Sequence, residues 1–158
     1  MKHCTEIPYY DGMKYVVATP DHRELQFKLR FRIENECISN QGELEILNCT
    51  DEDGSVHSWL CVTDGYPWDG CSGPTIDTKN SMRAGLVHDG LYQLMREGKI
   101  PRKHRIQIDN EFETILKEDG MSWFRRNIWE TSVNWFAGFA SKAKAIKKLM
   151  WAPHPPKQ

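Results

Sequence analysis

The sequence lacks any run of apolar residues long enough to cross a membrane. A bilayer span needs roughly 20 consecutive apolar residues, and polar side chains interrupt every apolar stretch of this 158-residue chain well before that length. The first residues, Met1–Pro8, also lack the apolar core of a secretory signal. These absences predict a cytoplasmic protein without a transmembrane segment.

Cysteine pairs with the spacing of a zinc knuckle are missing as well. The number of cysteines is odd and no C-x-x-C pair occurs; the five are Cys4, Cys37, Cys49, Cys61 and Cys71. We therefore expect free thiols in a reducing compartment and no zinc site built from cysteines.

A large excess of one charge is also missing, since 21 Lys/Arg face 22 Asp/Glu. With a sequence pI near 6.6, nucleic acid is not an expected partner. The charges are unevenly spread, because residues 121–158 hold 7 Lys/Arg against the single Glu130. This basic segment is either a solvated helix face on an acidic body or a surface for an acidic partner, a membrane surface included.

The apolar pattern changes from period two to helical spacing after residue 63. Leu25–Ile33 alternates apolar and polar residues and predicts a half-buried strand. Further short strands are predicted at Met13–Ala18, Leu44–Leu47 and His57–Val62, and helices at Ser81–Arg96, Pro101–Lys117 and Ser122–Met150. The fold class is therefore α+β, with a small antiparallel β-sheet or partial barrel followed by a helical hairpin and a long C-terminal helix.

These elements fit one domain over residues 1–150. In it, residues 1–63 are mainly strands, 64–80 a loop and 81–150 helices, and residues 151–158, with three prolines, form a flexible tail.

Two polar residues interrupt the apolar faces of the predicted hairpin. His88 shares a face with Ala84 and Tyr92, and Asp109 shares one with Phe112. A buried histidine and a buried carboxylate on adjacent helices require each other or a common ligand. The pair is either a hydrogen bond that locks the hairpin or part of a functional site.

The loop before the first helix adds an acid and a hydroxyl. Trp68–Pro74 reads W-D-G-C-S-G-P and places Asp69 and Ser72 among glycines and a proline, which is typical of ligand-cradling loops. Asp69 precedes His88 by 19 residues. The loop, His88-Asp89 and Asp109 are therefore candidates for one site.

The same residues resemble a family of small phage and prophage proteins known as domain of unknown function 1353. Its D-G-A-S-x-P-like loop, H-D-x-L-Y helix and D-x-x-F helix match W-D-G-C-S-G-P, His88–Tyr92 and Asp109–Phe112, over about half of the chain. The chain departs from the family in having Cys71 and Gly73 where small and aliphatic residues are usual. The resemblance implies a phage-encoded accessory protein in the host cytoplasm, and site positions at Asp69, Ser72, His88, Asp89 and Asp109.

Two functions are compatible with these residues. In the first, Asp69, His88, Asp89 and Asp109 bind a divalent zinc, manganese or iron ion that activates water for hydrolysis of a phosphoester, with an amide bond as the second choice. In the second, the protein is not an enzyme and binds a host or virion protein through its aromatic, basic C-terminal helix.

Two other arrangements use the same histidine. Cys71, His88 and Asp109 follow the order of a cysteine hydrolase, although Gly73-Pro74 makes it hard for Cys71 to begin a helix. His57, His88-Asp89 and Asp109 follow the order of metal ligands in HD phosphohydrolases, although a strand position predicts that His57 is a surface residue. His22 and His104 have no such context and are expected to be exposed.

Overall fold

A computed structural model describes residues 9–10, 15–19, 21–39, 42–68, 70 and 79–122. The strands are β1 (Tyr9–Tyr10), β2 (Tyr15–Val17), β3 (Leu25–Lys28), β4 (Cys37–Ile38), β5 (Leu44–Thr50), β6 (Val56–Val62) and β7 (Pro67–Trp68). The helices are α1 (Lys79–Arg96) and α2 (Arg105–Glu118), and a 3-10 turn, Arg102–His104, precedes α2. The chain is α+β, as the sequence predicts. The predicted C-terminal helix, Ser122–Met150, and the tail lie outside the described residues, apart from Ser122.

All strand pairs among the described residues are antiparallel. β1, β2 and β7 form a three-stranded sheet, and β3, β6, β5 and β4 form a four-stranded sheet in that order. Leu60 at the centre of β6 lies opposite Phe27 of β3 and Ile46 of β5. All three are almost fully buried, so one face of this sheet forms the floor of the core.

The strand predicted at Leu25–Ile33 is shorter than the alternation indicates. The ladder with β6 ends at Lys28, and Leu29 N–H then donates to Ser58 O at 2.9 Å. Ile33 N–H donates to the Ser58 hydroxyl at 2.8 Å, so one residue of β6 serves both ends of the 29–33 segment. The segment leaves the sheet while Leu29 and Ile33 stay in the core.

Glycine ends both helices where the sequence predicts. Gly98 has φ +75° and Gly120 has φ +76°, a region that residues with a Cβ rarely adopt. After α1, Lys99 N–H donates to Leu94 O at 2.8 Å, and after α2, Met121 N–H donates to Leu116 O at 2.9 Å. Both ends are Schellman motifs. The second helix begins later than predicted, because residues 102–104 form the 3-10 turn instead of its first turn.

The two helices run antiparallel. Arg83 near the start of α1 contacts Asp119 just beyond the end of α2, whereas Tyr92 further along α1 contacts Asp109 near the start of α2. Neither helix is both long and apolar enough to span a membrane. The apolar faces of the hairpin complete the core above the four-stranded sheet.

Gly90 of α1 packs closely against the four-stranded sheet. A Cβ at this position would lie 3.3 Å from Leu44 Cδ2 and 3.5 Å from Leu60 Cδ2. We expect Gly90→Val to lower the free energy of unfolding by about 1–3 kcal/mol, the usual cost of overpacking a core. Urea denaturation measures this, with Glu113→Val as the control, because Glu113 is an exposed residue within a helix. Equal or greater stability of Gly90→Val would contradict this close approach.

Candidate functional site

Three side chains surround the Asp109 carboxylate in the helical hairpin. The Tyr92 hydroxyl donates to Asp109 Oδ1 at 2.7 Å, and His88 Nε2 lies 3.3 Å from the same oxygen. Arg105 Nε lies 3.6 Å from Asp109 Oδ2. The last distance exceeds a hydrogen bond, so Arg105 acts on Asp109 mainly through its charge.

Helical spacing places these four side chains together. His88 and Tyr92 are four residues apart on α1, and Arg105 and Asp109 are four residues apart on α2, so each pair lies on one side of its helix. The imidazole of His88 stacks on the Tyr92 ring, with centroids 4.2 Å apart, and contacts the Phe112 ring at 5.0 Å. These contacts hold the imidazole in a fixed position beside the carboxylate.

The pair is only partly shielded from solvent. The side chains of His88 and Asp109 are 14% and 17% exposed, and that of Arg105 is 34% exposed. Burial raises the pKa of Tyr92, the hydrogen bond to Asp109 raises it further, and the nearby Arg105 opposes both. Tyr92 is therefore a neutral phenol at physiological pH and keeps its role as a donor.

Asp89 lies on a different side of α1 from His88. Consecutive helical residues are turned by about 100°, and Gln93, one turn after Asp89, accepts a hydrogen bond from the Tyr66 hydroxyl at 2.8 Å. Burial raises the pKa of Tyr66, and the charge of Asp89 raises it further. Asp89 therefore acts on the Tyr66 side of the helix.

The structure thus brings together two of the five predicted site residues, His88 and Asp109. Asp69 and Ser72 lie outside the described residues, and so does Cys71. Within the described ranges, no group of three or more His, Cys, Asp or Glu side chains has the geometry to hold a metal ion.

The thiols of Cys37 and Cys61 do not supply a nucleophile in place of Cys71. Burial raises the pKa of the Cys37 thiol to about 11 and that of Cys61 to about 12. Neither is a thiolate at neutral pH.

The remaining histidines fall outside this cluster. His57 Nε2 lies 3.0 Å from Asp51 Oδ2 at the β5–β6 turn, at the surface of the sheet. His22 is exposed, as expected. The expected exposure of His104 is wrong, because its imidazole stacks on Phe31, at 6.0 Å between centroids, and is buried.

A second polar cluster, which the sequence analysis missed, joins the hairpin to the end of β3. Arg83 Nη2 donates to Glu118 at 2.9 Å and to Asp119 at 2.8 Å. Arg30 donates to Glu111 and Glu118. The Glu111 side chain is only 2% exposed.

The pKa values of two carboxyls in this second cluster, Glu111 and Glu118, are shifted in opposite directions. Burial raises the pKa of Glu111, and its hydrogen bonds from Arg30 only partly offset this. Burial also opposes ionisation of Glu118, but hydrogen bonds from Arg30 and Arg83 outweigh it and lower the pKa of Glu118. The cluster pairs all its charges internally, which is typical of a structural ion network.

Comparison with protein-family models, with curated proteins and with solved structures gives no match to this chain. The resemblance to the phage family therefore stays a prediction.

Proposed function

We propose that this chain is a hydrolase in which His88, oriented by Asp109, removes a proton from the attacking water. The observation that supports the proposal is the 3.3 Å contact between His88 Nε2 and Asp109 Oδ1 at a partly exposed position. A histidine paired with a carboxylate is the usual arrangement of a general base.

Each neighbour of His88 has a role in this arrangement. Asp109 accepts a hydrogen bond from Nε2–H of His88, so the lone pair of the neutral imidazole is on Nδ1. Nδ1 has no partner among the described residues. The Tyr92 hydroxyl holds Asp109 in place. The Tyr92 and Phe112 rings prevent rotation of the imidazole.

A metal centre built from the same residues is supported less well. Asp109 already accepts from Tyr92 and contacts His88, and the Arg105 guanidinium faces its second oxygen. A divalent cation on Asp109 would have to displace these contacts and would be repelled by Arg105. The zinc, manganese or iron ion predicted from the sequence would need Asp69 as well, so our proposal uses water activated by His88 alone.

The non-enzymatic alternative depends on the C-terminal segment after Ser122, which lies outside the described residues. Binding of a host or virion protein stays a prediction from the sequence, and so does a nucleophilic role of Ser72 or Cys71.

His88→Gln tests the proposal. We expect it to lower kcat/KM for hydrolysis by about 10²–10⁴-fold, the usual contribution of a general base. The full chain is assayed on p-nitrophenyl acetate, bis(p-nitrophenyl) phosphate and a chromogenic peptide amide. Each assay is run with a chelator and with added zinc, manganese or iron.

His57→Gln is the matched control, because His57 also pairs with an aspartate but lies outside the Asp109 cluster. Its activity should equal that of the unaltered chain. Full activity of His88→Gln, or hydrolysis of no substrate under any condition, would refute the proposal. Activity that requires an added metal would instead support the metal centre.

A further inference from the structure

Arg105 occupies the outer edge of the Asp109 cluster. Its side chain is about twice as exposed as those of His88 and Asp109, and it lies at the first residue of α2. A molecule that approaches the imidazole from solvent therefore meets a guanidinium beside it.

The guanidinium keeps donors available for a ligand. It has five N–H donors, and Nε stands 3.6 Å from Asp109, which is too far for a hydrogen bond. A hydrogen bond from Arg105 lowers the pKa of Tyr92 against the effects of burial and Asp109, and the charge of Arg105 adds to this, so one of the five donors faces the phenol. Arg105 is thus held near the reacting atoms without being fully occupied.

The segment that leads to Arg105 is strongly basic. Residues 96–105 contain five Lys/Arg and the single acid Glu97. Lys103 pairs with Glu34 at 2.8 Å, and Lys99 and Arg102 are exposed as well. No acidic residue occupies the first turn of α2, where the helix dipole is positive. This end of α2 therefore carries a net positive charge, and Arg105 is its group beside Asp109.

We infer that Arg105 binds the phosphoryl oxygens of the substrate and that the hydrolase proposed above acts on phosphoesters. A guanidinium binds two such oxygens at once in a planar geometry. In the reaction, one proton of water passes to His88 Nδ1, and the remaining hydroxide forms the new P–O bond. The bond from phosphorus to the leaving alkoxide or phenolate breaks. An alkoxide takes the proton from His88, whereas with a phenolate His88 releases the proton to solvent water.

Binding of inorganic phosphate tests the inference without requiring catalysis. Phosphate is titrated into the full chain and followed by NMR, using the Arg105 side-chain Nε–H and the His88 imidazole signals. We expect Arg105→Gln to weaken phosphate binding by about tenfold or more, because a charged hydrogen bond contributes at least 1.4 kcal/mol. Arg105→Lys, which keeps the charge but not the two-point geometry, should give an intermediate affinity.

Arg23→Gln is the control, because Arg23 is an exposed arginine that pairs with Asp21 away from the cluster. It should bind phosphate like the unaltered chain. Equal binding by Arg105→Gln, or equal weakening by Arg23→Gln, would overturn the inference. Thermal melts confirm that each variant is folded before the titration.

A second measurement compares substrates. We expect Arg105→Gln to lower the ratio of kcat/KM for bis(p-nitrophenyl) phosphate to that for p-nitrophenyl acetate by about 30-fold or more, that is about 2 kcal/mol. An unchanged ratio would mean that Arg105 only positions Asp109 and would refute the inference.

If the chain hydrolyses the acetate ester but neither binds phosphate nor hydrolyses the phosphate ester, the proposed function stands and the inference fails. If the unaltered chain hydrolyses neither ester but binds phosphate, and Arg105→Gln loses that binding, the anion site stands and the proposed function fails.

Discussion

Replacing Arg83 by methionine should lower the free energy of unfolding by about 3 kcal/mol. The Arg83 side chain is only 6% exposed and donates to both Glu118 and Asp119. Without it, Asp119 loses its cation and Glu118 keeps only Arg30, while Glu111 lies nearby. Removal of one partner from a buried ion pair costs about 3–5 kcal/mol, and we expect the lower end because Glu118 is 43% exposed.

Urea denaturation measures this change, and Arg32→Met is the matched control. Arg32 lies in the segment that follows β3 and is exposed, so its replacement should alter stability by less than about 0.5 kcal/mol. Equal stabilities of the two variants would show that the ion network does not join the helices.

The pH dependence of stability gives an independent reading of the same contact. A carboxyl whose pKa is lowered on folding stabilises the native state when the pH is above the usual pKa of that carboxyl. This contribution is lost as the pH falls through the lowered pKa. Glu118, with a usual value of 4.5, is such a group, and Arg83 is one of the causes. The drop in stability between neutral pH and acid should therefore be smaller in Arg83→Met than in the unaltered chain.

The sequence predicts the fold well where the signal is local. The alternation from Leu25 to Ile33 identifies the residues that enter the core, and Gly98 and Gly120 mark the helix ends correctly. The end of β3 is not local, because it depends on the two hydrogen bonds to Ser58, 25 residues further along the chain from Ile33. A period-two pattern cannot show where a strand leaves its neighbour.

The candidate site was predictable for the same reason. His88 and Asp109 lie on apolar helical faces joined by a short connection, so helical spacing alone predicts their contact. Glu111 was missed although it is more deeply buried than Asp109. Its partner Arg30 is 81 residues away and alternates with core residues, which predicts an outward side chain. Only the bend after β3 lets Arg30 reach Glu111.

The burial of His104 also depends on a contact that the local sequence does not reveal. A single histidine in a basic connection gives no signal of burial, and its stacking partner Phe31 belongs to the segment that leaves the sheet. The 3-10 turn that carries His104 depends on this packing as much as on its own residues. Long-range contacts of this kind require the tertiary structure.

The largest effect on activity is expected from Asp109→Asn. This change keeps the size of the side chain but removes the charge that orients His88. An asparagine can turn its amide towards His88 and stabilise the tautomer that has the proton on Nδ1, so the base loses its lone pair. In serine proteases the equivalent change lowers kcat by about 10⁴-fold, and we expect a loss of about 10²–10⁴-fold here.

The stability of the same variant separates a site from a structural lock. If the pair between His88 and Asp109 only joins the helices, Asp109→Asn should cost about 3–5 kcal/mol, the range for breaking a buried ion pair. If it is a site, the cost should be about 1 kcal/mol, because the Tyr92 hydroxyl can accept a hydrogen bond from the amide that takes the place of Oδ1. Asp51→Asn alters the surface pair with His57 and is the control. It should change the free energy of unfolding by no more than about 0.5 kcal/mol and leave the hydrolytic activity unaltered. A variant that loses 3 kcal/mol or more of stability but hydrolyses at the full rate while folded would identify Asp109 as a structural residue.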